Sequence, residues 1–117
     1  MSKDRIRDAL ELFMKNSICT LAREDGMLDG NDEMPGYIEA LETLEAARIN
    51  TLIVHEKACS IYGNASDLMT YHRLNTFPYA DAASELVRKY MEKEIKTASD
   101  EMVDILETRR KPVGGFI

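Results

Sequence analysis

Cysteine is scarce in this sequence: Cys19 and Cys59 are the only two among 117 residues. Two thiols so far apart do not make a disulfide framework, and they read as reduced core residues in an oxidant-poor, cytoplasmic compartment. Proline and glycine are also few, at three and six, which excludes a disordered or linker-like chain. No apolar run approaches a signal-peptide core or a membrane span, and the chain opens on the charged Lys3, Asp4, Arg5, Arg7 and Asp8, so neither export nor membrane insertion is expected. Tryptophan is absent and valine is sparse, whereas alanine, leucine and glutamate are plentiful. Such residues lose little side-chain entropy in a helix, so the composition points to an all-α protein.

The length suits one domain over residues 1–117 with its own core. Ser2 can cap a first helix from about Lys3 to Arg23, along which Ile6, Leu10, Phe13, Met14, Ile18 and Leu21 recur at helical spacing. Gly26 is placed to end that helix, and an acidic loop over about 24–36 follows. From Tyr37 through Leu41, Leu44, Ala47, Thr51, Val54, Ala58 and Ile61 the apolar steps alternate between four and three, which predicts one long second helix ended by Gly63. Ile38, Ile49, Leu52 and Ile53 widen its stripe, as though the helix were covered on more than one side. A short third helix is expected from Asn64 or Ser66 to about Leu74. A break at Pro78 precedes a long fourth helix from Tyr79 to about Arg110. A flexible tail is expected at about 112–117. These elements predict a bundle of three long helices and one short one, and the length of the second favours a homodimer that fills seams one chain leaves open.

Basic residues are missing from one stretch. Between Arg23 and Arg48 there is no lysine or arginine, while Glu24, Asp25, Asp29, Asp32, Glu33, Glu39, Glu42 and Glu45 supply eight carboxylates. The net charge is −6, yet the rest of the chain is slightly basic. The acidity is confined to the loop and the start of the second helix.

Familiar catalytic motifs are also lacking, with no nucleophile elbow and no phosphate-cradling glycine loop. An EF-hand starting at Asp29 would need glycine where Met34 stands and a bidentate glutamate where Ala40 stands, so the match fails. Cys19, His55, Cys59 and His72 are the right types and number for tetrahedral zinc, but without the close paired spacing of zinc motifs. Glu42 and Glu45 on one helix, with Glu101 and Asp104 on another, offer the paired carboxylates that hold magnesium against phosphates. In this respect the chain resembles the all-α nucleotide pyrophosphohydrolases, a resemblance that implies metal-dependent nucleotide hydrolysis; almost sixty residues separate the pairs here, where that family has a modest interval. The segment around Gly63 resembles a helix-turn-helix, with Arg73 as the one base on its second helix, whereas DNA readers present a basic face.

The reading these features favour is a small acidic interaction or regulatory protein without a cofactor. Its partner would be a protein with a basic surface, met through Asp25, Asp29, Asp32, Glu33, Glu39 and Glu42; direct nucleic-acid binding is not expected. A carboxylate row of this kind steers basic partners and imitates a nucleic-acid backbone. Small acidic phage proteins that inhibit nucleic-acid-handling enzymes share this general character.

Overall fold

The computed structural model describes residues 2–26, 34–71 and 85–110, and these form four helices with no strand among them. The loop residues 27–33, the segment 72–84, which holds the expected start of the last helix, and the tail at 112–117 lie outside the described residues.

Helix α1 spans Lys3–Glu24. The Ser2 hydroxyl accepts a hydrogen bond from the Arg5 amide at 3.2 Å, satisfying one of the donors that a helix start leaves unpaired. At the far end Gly26 takes a φ of +74°, and its amide reaches back to the Arg23 carbonyl at 3.0 Å. Both ends fall where the residues placed them.

Helix α2 spans Tyr37–Ala46 and α3 spans Thr51–Tyr71, so the single second helix expected over this stretch is broken. At the break Arg48 adopts a φ of +57°. Its amide donates to the Glu45 carbonyl and the Ile49 amide to the Leu44 carbonyl, each at 3.0 Å. This pair of bonds is a Schellman closure, in which the left-handed residue is usually glycine. Ile49 then folds back onto the core, and the Asn50 side chain accepts from the Leu52 amide at 3.0 Å to start α3. Gly63, expected to end a helix, lies inside α3; Tyr62 and Ala65 are buried on either side of it, and this packing carries the helix through. The short helix is therefore the second, not the third. The turn required for a helix-turn-helix at Gly63 does not exist.

Glycine and arginine thus occupy each other's preferred backbone. A Cβ at Gly63 would meet nothing within 4 Å, so Gly63→Ala should stabilise by about 0.5–1 kcal/mol. Arg48→Gly should add a similar ~0.5–1 kcal/mol by relieving the left-handed strain. Chemical denaturation of the double variant should show the two gains summing, because the sites share no partner. A loss at Arg48→Gly, measured on the dilute single chain, would contradict the closure described.

Helix α4 spans Glu85–Arg110. It runs antiparallel to α1, as the ion pairs Arg7–Asp100 and Lys3–Glu107 record, the latter at 2.7 Å. Helix α2 descends along the first half of α1, with the Phe13 and Tyr37 rings stacked 5.9 Å apart. The buried Asn16 side chain accepts from the Met34 amide at 3.1 Å and ties the loop end to the middle of α1. Helix α3 then rises beside α1 and pairs antiparallel with α4. Helix α1 packs against all three others, which is why its burial spreads around so much of its circumference. Leu10, Met14, Ile18, Leu44, Val54, Met91 and Ile95 are almost wholly enclosed at the centre.

Because α2 and α3 are separate, the second helix is ten residues long and lacks the length that favoured a covering second chain. The long helix is α4, at 26 residues.

Candidate interaction surfaces

The carboxylates of the acidic stretch meet different fates. Asp25 stays exposed but is engaged: the Tyr62 hydroxyl donates to its carboxylate at 2.6 Å, joining the end of α1 to α3. Burial, and then the Asp25 carboxylate, hold the Tyr62 phenol well above its ordinary value. Asp29, Asp32 and Glu33 lie outside the described residues.

Loss of the Tyr62 proton would leave two negative charges in contact, so the folded state favours the neutral phenol. The raised folded value means that this contribution is intact below a pH of about 10, where the unfolded chain still holds the proton, and is lost as pH rises above it. Tyr62→Phe should cost about 1 kcal/mol at neutral pH and flatten the alkaline decline in stability. Denaturation curves of both proteins from neutral to alkaline pH measure this.

Glu39, Glu42 and Glu45 are exposed on α2. Ile38, Glu42 and Glu45 fall at i, i+4 and i+7 and so share one face, and Ile38 is 54% exposed. The result is a bare apolar side chain within a row of carboxylates. A base absent from this part of the sequence comes from elsewhere: Arg5 of α1 lines the same shallow depression as Glu39 and Glu42. The field over α2 is therefore less uniform than the charge run implies.

Among the described residues neither metal constellation assembles. Cys19 is buried in α1, where burial pushes its thiol up against a smaller opposing pull from Arg23. On α3 the Cys59 sulfur lies 3.5 Å from His55 Nε2, whereas His72 is outside the described residues. Glu42 and Glu45 stand on α2, Glu101 and Asp104 on α4, and the two helices pack on α1 rather than extensively on each other. Among the described residues no three of histidine, cysteine, aspartate and glutamate gather as metal ligands.

A second surface was hidden in the apolar residues that widened the expected stripe. Leu52 and Ile53, read as covered on several sides, are 62% and 57% exposed, and Ile105 of α4 is 54% exposed. Ile53 and Ile105 rim a groove of about 220 Å³ between the start of α3 and the end of α4, with Val54, Met102 and Leu106 on its floor and Arg48 at one end. Off-stripe leucine and isoleucine were the available signal. The partner helix, some fifty residues further along, was not legible beside them.

An all-α architecture gathered around one central helix, with exposed apolar side chains on two faces, is the class that fold and surface define. No protein-family model, curated protein or solved structure matches the chain. No described helix is long and apolar enough to cross a membrane.

Proposed function

We propose that this is a small interaction or regulatory protein that meets a macromolecular partner through the acidic face of α2. The observation that carries the reading is Ile38, more than half exposed with Glu39, Glu42 and Glu45 around it on one helix. An apolar anchor supplies affinity when its partner removes it from water, and a rim of like charges steers and selects that partner. Asp29, Asp32 and Glu33 extend the charge in the adjoining sequence. The partner is a protein with a basic surface, and a nucleic-acid-handling protein is the favoured class because its own substrate is a row of negative charges. The free thiols Cys19 and Cys59 support a cytoplasmic setting. We also propose that the chain works as a homodimer.

Affinity capture followed by kinetic measurement tests the α2 face. With Glu39, Glu42 and Glu45 changed together to glutamine, association with the captured partner should slow by roughly tenfold or more and lose most of its salt dependence. Ile38→Ala should instead speed dissociation. Unchanged kinetics in both variants would remove α2 from the site.

A further inference from the structure

We infer that the groove between the start of α3 and the end of α4 is the face through which two copies of this chain pair. This rests on the homodimer reading and names its interface. A space of about 220 Å³ falls below the roughly 300–1,000 Å³ of small-molecule sites and suits a projecting aliphatic side chain. The same surface supplies such side chains, since Leu52, Ile53 and Ile105 all stand more than half exposed at or beside the groove. One copy thus carries both the hollow and the projection, as a two-fold interface requires, where the same patch must complement itself.

The charges agree with that symmetry. Arg48 is the charged residue that lines the groove, and it lies before the first turn of α3. Glu56 is one turn beyond Ile53 on α3, Glu101 is one turn before Ile105 on the antiparallel α4, and both are exposed. A two-fold axis passing by Ile53 and Ile105 sets the two grooves antiparallel. Each Arg48 then meets Glu56 and Glu101 of the second copy, two carboxylates against one guanidinium at each end. These pairs fix register, while the aliphatic centre supplies most of the affinity. A side chain retained on a left-handed backbone where glycine would relax the strain is also what a contact role for Arg48 requires.

Sedimentation equilibrium of the purified chain, without any partner, tests the pairing. The unaltered protein should have twice the chain's mass at roughly 10 µM. Ile53→Glu and Ile105→Glu, each on an exposed side chain and each checked for retained helicity, should raise the dimer dissociation constant by at least about 30-fold. Arg48→Glu should weaken the dimer, and the added changes Glu56→Arg and Glu101→Arg should restore it. A dimer that survives Ile53→Glu and Ile105→Glu would overturn this interface while leaving the homodimer reading intact. A single chain's mass at every concentration up to roughly 1 mM would overturn both.

Discussion

Leu10→Ala should lower the stability of the protein by about 3–5 kcal/mol, the cost of removing a wholly enclosed leucine from a site that cannot collapse around the gap. Leu10 is 0% exposed on α1, the helix against which all the others pack. Neighbours on several sides are held by different helices, so relaxation toward the cavity by one helix pulls it away from another. A domain of this size has about 5–15 kcal/mol in total, so the variant should be marginal, with its melting temperature lowered by roughly 12–20 °C. Ile38→Ala, at a side chain 54% exposed on α2, is the control and should change the stability of the chain alone by less than about 0.5 kcal/mol. Thermal and urea unfolding of the pair measure the contrast, and equal losses would contradict the assignment of α1 to the centre.

Leu44→Ala should cost a comparable amount, about 2–4 kcal/mol, but in one place. Helix α2 has ten residues and three buried side chains, Ala40, Thr43 and Leu44, and Leu44 alone among them is large. A helix that short does not hold its shape in water without packing. Removal of the leucine should therefore release α2 before the rest of the molecule unfolds, a local opening in the sense of native-state exchange. Hydrogen exchange should show protection lost across Tyr37–Ala46 and kept in the middle of α1 and α4. The same variant should weaken partner binding, because the carboxylates of α2 lose their fixed presentation. Uniform loss of protection along the chain would show that α2 is welded to the core more firmly than its burial implies.

What the residues made legible was the helical class and the first helix. Ser2, the apolar period of α1 and the left-handed Gly26 are local signals, each carried within one or two turns of the element it bounds. The break at Arg48 gave no such signal. Ala46, Ala47 and Arg48 all favour helix, the residue that closes α2 is not the expected glycine, and Ile49 returns to the core so that the apolar spacing continues across the interruption. Asn50 was the one readable mark, a capping residue ahead of an apolar run. Gly63 misled in the opposite direction, because burial on both sides of it outweighs about 1 kcal/mol of poor propensity.

The site divided in the same way. Exposure of Glu39, Glu42 and Glu45 follows from their helical spacing once α2 is placed. The diversion of Asp25 to Tyr62 could not be read, since 37 residues separate the two and only the packing of α3 beside α1 brings them together. Arg5 beside Glu39 and Glu42 is a second case: local counting found no base near these acids, and tertiary packing supplies one. Arg48 and Ile105 line one groove for the same reason.

The claim that the protein works by contact through α2 is tested most directly by hydrogen exchange of the chain alone and bound to its captured partner. Amides of Tyr37–Ala46 should exchange more slowly in the complex, with the change absent when Ile38 is replaced by alanine at a concentration where that variant no longer binds. Protection confined to α3 and α4, with α2 unaffected, would contradict it.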